Sequence, residues 1–207
     1  MHFSPRSTPR NFTHKLACAA GASLALLGLN AAPALAGSPT EACPGQSFSQ
    51  PFAALGDNNS YTLVPGSEFN NPPEGWELRN GAQVVSTTLP NGSAGAALDL
   101  PSGASAVSPP VCVTLKYPSA RVYVQTLEGK AAVSVAVSYA ETKSETRPRQ
   151  VGEAKATQGG WEVSEAFSVL PQLGGRIEEA REVRFVFTAG GSSNTLLYGL
   201  YVDPWMK

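Results

Sequence analysis

Histidine is almost absent from this chain: the only two histidines in its 207 residues are His2 and His14, both near the amino terminus. A Ser-His-Asp or Cys-His catalytic arrangement therefore cannot form in the rest of the sequence, and histidine-containing zinc sites are excluded as well. We predict that the chain has no histidine-dependent hydrolase activity, no metal site and no cofactor.

Long apolar runs are also scarce. The one extended apolar stretch, residues 16–29, follows basic residues and precedes an Ala34-Leu35-Ala36 site. This is the pattern of a secretory signal peptide, and the run is too short to span a bilayer. We expect a signal peptide over residues 1–36, a secreted, extracellular protein and no membrane span after cleavage. A lipidation site at Cys18 is the alternative, but Lys15 occupies a position that this motif reserves for an aliphatic residue.

Basic clusters and cysteines are few. The sequence has 15 basic and 16 acidic residues with no basic run, so nucleic acid is not an expected partner. Of the three cysteines, Cys43 and Cys112 lie beyond the signal segment. An even pair in an exported chain is most simply one disulfide. We predict this bond between an N-terminal arm and a strand of the body.

The clearest pattern that is present lies in residues 119–140. Two runs of residues flank Glu128-Gly129-Lys130, and in each run small or apolar side chains alternate with other side chains. This period of two is typical of β-strands, and glycine suits the turn between them. We predict a β-hairpin. Its inward face carries Val122, Val124, Val133, Val135 and Val137, and its outward face carries Arg121, Tyr123 and Gln125.

The rest of the chain predicts about ten short strands separated by turn residues, with no sustained period of 3.6. We therefore expect an all-β protein, an antiparallel jelly-roll β-sandwich over residues 61–207, preceded by a turn-rich N-terminal arm over residues 37–60. A short helical turn is expected at residues 52–55, a single strand at 161–169 and a loop with one helical turn at 173–180.

The order of these elements resembles the jelly-roll β-sandwich of carbohydrate-binding modules, the galactose-binding-domain-like architecture. The chain is also similar to small secreted proteins of high-GC bacteria that share a Cys-Pro-Gly-Gln opening and a Tyr-Val-Asp-Pro ending. The positions that carry the first resemblance are Gly66 with Phe69, Gly75-Trp76, Gly160-Trp161, Phe185 with Phe187, and the strand from Tyr198 to Asp203.

The resemblance implies a secreted, non-catalytic module that binds a polysaccharide or a cell-surface glycan. Planar rings stack on sugar faces, and polar groups around them read the hydroxyls. From side-chain parity, the predicted ligand-binding residues are Arg121, Tyr123, Gln125, Arg184 and Tyr201. Trp76, Trp161 and Trp205 are assigned first to the core or to the ends of the sandwich. Such modules often hold a structural calcium with acidic residues at the start of the last strand, but here Tyr198 and Gly199 stand at those positions. A calcium site at Glu68, Asn70 and Asp203 would require Asp203 to fold back.

Two other functions stay open at this stage. The first is a structural or protein-interaction domain of the cell envelope with no small ligand, which predicts an outer face without an aromatic platform. The second is a glycan-active enzyme, which needs two carboxylates in one cleft. Its candidates are Asp99, Glu162 and Glu165. The sequence indicates neither the ligand nor the oligomeric state.

Overall fold

We describe the protein from a computed structural model. The described residues are 43–70, 73–114, 118–129, 132–140, 147–157, 159–169 and 180–203. The expected signal peptide, the helical turn expected at 173–180 and Trp205 lie outside them, apart from Ala180, which begins a strand. In these ranges no helix has the length and apolar character needed to cross a membrane.

The described chain folds into thirteen strands and one short 3-10 helix, Ala53–Leu55, at the position predicted for a helical turn. The strands are β1 (Thr62–Leu63), β2 (Glu77–Arg79), β3 (Gln83–Thr88), β4 (Ala94–Leu100), β5 (Ser105–Val107), β6 (Val111–Thr114), β7 (Ser119–Glu128), β8 (Ala132–Ala140), β9 (Arg149–Lys155), β10 (Glu162–Val163), β11 (Phe167–Ser168), β12 (Ala180–Ala189) and β13 (Asn194–Asp203). The single strand predicted at 161–169 is therefore two short strands.

The strands form two antiparallel sheets. Sheet 1 has the order β10-β7-β13-β4-β3, with β11 also paired to β7 and β1 to β13. Sheet 2 has the order β2-β5-β12-β8-β9, with β6 also paired to β12. Together they make the β-sandwich that the sequence predicts, and the arrangement fits a jelly roll.

The core lies between the two sheets and is built from alternate residues of each strand. Val122 and Val124 on β7 and Val133, Val135 and Val137 on β8 are all at most 1% exposed. The prediction that these five valines face inward is confirmed. Because opposite residues in an antiparallel pair share a face, the inward side of sheet 1 continues from Val124 to Leu197 and Leu98.

The predicted hairpin is wrong. Strand β7 pairs with β13, β10 and β11 in sheet 1, whereas β8 pairs with β12 and β9 in sheet 2. The connection after Glu128 therefore crosses from one sheet to the other. Gly129 begins this crossing with φ of 74°, and a Cβ there would overlap the carbonyl oxygen of Ser192. Alternation alone could not distinguish the two arrangements, because strands in facing sheets present valines to the same core.

The N-terminal arm is tied to both sheets. The predicted Cys43–Cys112 disulfide is present and attaches the arm to β6 of sheet 2, and the side-chain amide of Gln46 donates to the carbonyl oxygen of Cys112 at 2.8 Å. Ser49 then exchanges two backbone hydrogen bonds with Tyr61, which directly precedes β1 of sheet 1. The arm thus brings the 3-10 helix and Phe52 to the outer side of sheet 1.

Candidate functional site

The outer side of sheet 1 carries a group of aromatic side chains at its centre. In the pairing of β7 with β13, Tyr123 lies opposite Tyr198 and Arg121 lies opposite Tyr201. Since Val122, Val124 and Leu197 point into the core, these partners point away from it. We call the outer surface formed by Tyr123, Tyr198, Tyr201 and Trp161 the aromatic face.

An irregularity in β13 puts two of these tyrosines on the same side. Tyr198 and Tyr201 are three residues apart, so a regular strand would place them on opposite faces. The register between β13 and β7 shifts between Tyr198 and Tyr201, as it does at a β-bulge. Gly199 lies in this shift with φ of 60°, and a Cβ there would lie 3.0 Å from the ring of Tyr201 and 3.5 Å from that of Tyr123. Glycine therefore allows the rings to converge.

The rings form a continuous series. The centroid of Trp161 lies 6.3 Å from that of Tyr198, Tyr198 lies 6.5 Å from Tyr123, and Tyr123 lies 5.5 Å from Phe52. These separations are within the range of favourable aromatic pairs. Trp161, Tyr198 and Tyr123 are each partly exposed, so this part of the series can be reached from solvent.

The arm covers the other end of the series. Phe52 is fully buried, with its ring centroid 5.0 Å from that of Tyr61 and 5.4 Å from that of Tyr201. Tyr61 is 1% exposed and donates from its hydroxyl to Asp57 Oδ2 at 2.7 Å. Beyond this point the aromatic face is closed by residues of the chain itself.

Arg121 belongs to this closed end. Its Nε lies 3.1 Å from Asp57 Oδ2, its Nη1 donates to the carbonyl oxygen of Ser164 at 3.3 Å, and its guanidinium carbon lies 5.9 Å from the centroid of Phe52. Burial alone would raise the pKa of Asp57, but hydrogen bonds from Tyr61 and Asn59 and the nearby Arg121 together hold that pKa below its ordinary value. Arg121 therefore fastens the arm to β7.

Trp161 makes a contact across sheet 1. Its indole N–H donates to the carbonyl oxygen of Thr88 at 2.7 Å. Trp161 directly precedes β10 and Thr88 ends β3, and β10 and β3 are the two outer strands of the sheet order. Because Trp161 also contacts Tyr198 on the central strand β13, this link passes over the aromatic face.

Polar groups lie beside the rings. Gln125 is opposite Leu196 in the sheet register, and Leu196 is opposite Asp99, so the three share the outer side. Asp99 is 7% exposed and accepts a hydrogen bond from the side chain of Gln83 at 3.0 Å. An amide and a carboxylate next to planar rings are groups that hydrogen-bond hydroxyls.

The tyrosine hydroxyls of the face are neutral donors at ordinary pH. Burial raises the pKa of Tyr123 and, with Glu68 and Tyr123 nearby, that of Tyr198. Burial, followed by Tyr123, Tyr198 and Glu68, raises the pKa of Tyr201 to about 12. Each of these hydroxyls keeps its proton and can donate a hydrogen bond to a ligand.

Four of the five predicted binding residues come together, and Arg184 does not. Arg121, Tyr123, Gln125 and Tyr201 lie on the outer side of sheet 1. Arg184 has the same parity on its own strand, but β12 belongs to sheet 2, where Arg184 lies 3.5 Å from a carboxylate oxygen of Glu77.

Sequence reasoning missed Tyr198 and assigned Trp161 elsewhere. Tyr198 has the same parity as the core residues Leu200 and Val202, so a regular strand would bury it. The signal for the bulge is the lone Gly199 inside the strand. Trp76 does belong to the core, as expected, with its ring 5.0 Å from that of Phe69.

Glu162 and Glu165 line a surface groove away from the rings, whereas Asp99 lies on the outer side of sheet 1. Glu162 accepts hydrogen bonds from the backbone N–H and the hydroxyl of Thr157. Among the described residues, no group of three or more His, Cys, Asp or Glu side chains is placed to hold a metal. A groove of about 470 Å³ runs along the edge of the sandwich between β9 and β10, and another of about 430 Å³ lies beside β3. Neither groove contains the rings of the aromatic face.

The fold is the β-sandwich of carbohydrate-binding modules. The N-terminal CBM22-1–CBM22-2 tandem domain of Paenibacillus barcinonensis Xyn10C is similar, with a TM-score of 0.50 and 15% identity over 72% of this chain and 46% of that chain. The CBM22-1 xylan-binding domain of the same protein gives a TM-score of 0.49 and 14% identity over 72% and 97% of the two chains.

A family 11 carbohydrate-binding module from Clostridium thermocellum, in complex with a β-1,3-1,4-mixed-linked tetrasaccharide, gives a TM-score of 0.43 and 10% identity over 71% of this chain and 97% of that chain. No protein-family model matches the sequence, and the comparison with curated proteins finds no match. At 15% identity, the similarity to the tandem domain shows a shared fold alone.

Proposed function

We propose that the protein is a secreted, non-catalytic module that binds a polysaccharide or a cell-surface glycan through the aromatic face. The observation that carries the proposal is the partly exposed series Trp161–Tyr198–Tyr123, with centroid separations of 6.3 and 6.5 Å. Planar rings in such a series can stack on the apolar faces of sugar rings, while the tyrosine hydroxyls and Gln125 bond to hydroxyl groups. The sandwich fold and the disulfide are consistent with an extracellular glycan-binding module.

The separation of Asp99 from Glu162 supports a non-catalytic role. Asp99 on β4 and Glu162 on β10 are separated by β13 and β7 in the sheet order, which is three strand intervals of about 4.8 Å each. Glycosidases place their two carboxyl groups within about 5–9.5 Å of each other. Oδ2 of Asp99 accepts a hydrogen bond from Gln83, and Oε1 of Glu162 accepts one from Thr157.

The test is a screen of the protein, from Gly37 onward, against immobilised xylan, mixed-linked β-1,3-1,4-glucan and a wider glycan panel. We expect binding to at least one glycan, and a Tyr198→Ala variant should bind that glycan about two- to ten-fold more weakly, since a stacking ring contributes about 0.5–1.5 kcal/mol beyond its area. Tyr198 is a cleaner choice than Tyr123, because the Tyr123 ring also supports the buried Phe52.

Thr188→Ala is the matched control, because Thr188 is exposed on β12 in sheet 2 and has no part in the aromatic face. Equal loss of binding in both variants would contradict the proposed site. Absence of binding across the panel would favour the alternative of a structural or protein-interaction domain, in which the rings serve to hold the arm.

A further inference from the structure

We infer that the aromatic face accepts the end of a glycan chain and not an internal stretch of it; this inference rests on the proposed function. An internal stretch continues in both directions, so its binding groove must be open at two ends. Here contacts within the protein limit the face on two sides. A ligand must therefore enter with a terminal residue or a short branch.

The first limit is the arm. Phe52 has no exposed surface and fills the position next to Tyr123, at a centroid separation of 5.5 Å. The ion pair between Arg121 and Asp57, 3.1 Å long, holds the arm over β7 beyond that ring. A sugar stacked on Tyr123 meets Phe52 as its neighbour and cannot be followed by another sugar in that direction.

The second limit is the link between Trp161 and Thr88. The indole N–H of Trp161 reaches the carbonyl oxygen of Thr88 at 2.7 Å, which joins the two outer strands of sheet 1 across the face. Between this link and Phe52 the series contains only two further rings, Tyr198 and Tyr123. The space between the limits suits a short terminal segment.

The experiment measures the amount of protein bound to equal masses of a polysaccharide before and after partial hydrolysis. It is done once with xylan and once with mixed-linked β-1,3-1,4-glucan. Hydrolysis multiplies chain ends while the number of internal residues barely changes. We expect the amount of protein bound per gram at saturation to rise in proportion to the number of ends, measured separately by a reducing-end assay. A capacity that is unchanged by hydrolysis would overturn the inference and leave the proposed function standing.

If neither probe binds, the same comparison is made on the polysaccharide that the panel identifies, and binding to no glycan of that panel would refute the proposed function and this inference together. A Trp161→Phe variant tests whether the arm alone is enough, because it keeps a ring at this position and removes the hydrogen bond to Thr88. Its capacity on the intact polymer should stay proportional to the number of chain ends, because the arm still closes the other end of the face. A several-fold rise in its capacity on the intact polymer would show that the arm does not exclude internal stretches, and would overturn the inference.

Discussion

At the scale of single residues, the hydroxyl proton of Tyr61 makes one of the contacts that hold the N-terminal arm. Its hydroxyl donates to Asp57 Oδ2 at 2.7 Å. Burial, then the hydrogen bond and the charge of Asp57, raise the pKa of Tyr61 to about 12 from the ordinary 10.0. The phenol must stay protonated to donate, so the contact that positions Asp57 for Arg121 is lost when Tyr61 ionises.

We predict that the free energy of unfolding falls between about pH 10 and pH 12. In the unfolded chain tyrosine loses its proton near pH 10, whereas folded Tyr61 and Tyr201 hold theirs until about pH 12. Ionisation in this interval therefore favours the unfolded state, and the stabilisation that is fully present below pH 10 is lost as pH rises through 12. Urea titrations across this range should show the decline, and it should be smaller for Tyr61→Phe. Equal slopes in the two proteins would contradict the assignment.

Parity along a strand predicted the side-chain direction of most site residues, and the exceptions have specific causes. Arg121, Tyr123 and Gln125 follow strict alternation, so their outward direction could be read from the sequence. Tyr198 could not be assigned this way, because the shift at Gly199 reverses parity within the strand. The position of Arg184 required knowing which sheet holds β12, and parity carries no information about that.

At the scale of elements, the sequence predicted strands β7 and β8 but not the crossing between the two sheets that connects them. The two strands and their buried valines followed from alternation, but their pairing did not. A strand in a sandwich presents the same apolar face to the core whether it pairs with its sequence neighbour or lies across the core from it. The pairing of β7 with β13 and of β8 with β12 decides between a hairpin and two strands in facing sheets. These partners are far apart in the sequence, so no local pattern indicates the pairing.

Gly129 at this crossing gives a test. We expect Gly129→Ala to destabilise the protein by more than Gly92→Ala, although both glycines have positive φ, 74° and 82°. Left-handed backbone costs a residue with a Cβ about 1–2 kcal/mol in either case. At Gly129 the added Cβ also overlaps the carbonyl oxygen of Ser192, whereas Gly92 has no atom within 4 Å of that position.

The comparison is made by thermal melts of the two variants beside the wild type. If Gly129→Ala and Gly92→Ala melt at the same temperature, the close approach of the crossing to Ser192 is not a constraint on the fold.

At the scale of the whole molecule, the arm joins the two sheets of the sandwich. Its disulfide attaches to β6 in sheet 2, while Phe52 packs on the outer side of sheet 1. The sequence predicted the bond from the even cysteine count, but it carried no sign of where Phe52 would pack. Phe52 packs against Tyr123 of β7, Tyr201 of β13 and Tyr61, which directly precedes β1.

Replacing both cysteines, as in Cys43→Ala with Cys112→Ala, should lower the free energy of unfolding by about 4 kcal/mol, because the bond closes a loop with a sequence separation of 69. Guanidinium titrations of the oxidised wild type and the double variant measure the difference. Thiol labelling of the unfolded, unreduced wild type should find no reactive Cys43 or Cys112. A difference near zero would contradict the loop-closure explanation of the stabilisation.

The same bond determines how the molecule responds to pulling. Tension applied to the chain ahead of Cys43 passes through the sulfur atoms into β6, and the intervening stretch, which includes β1 to β5, carries no load. With a sequence separation of 69 and about 3.5 Å of extension per residue, roughly 240 Å of contour length is locked behind the bond. In an oxidising medium the bond keeps this length closed, whereas after chemical reduction it can extend once the intervening strands unfold under load.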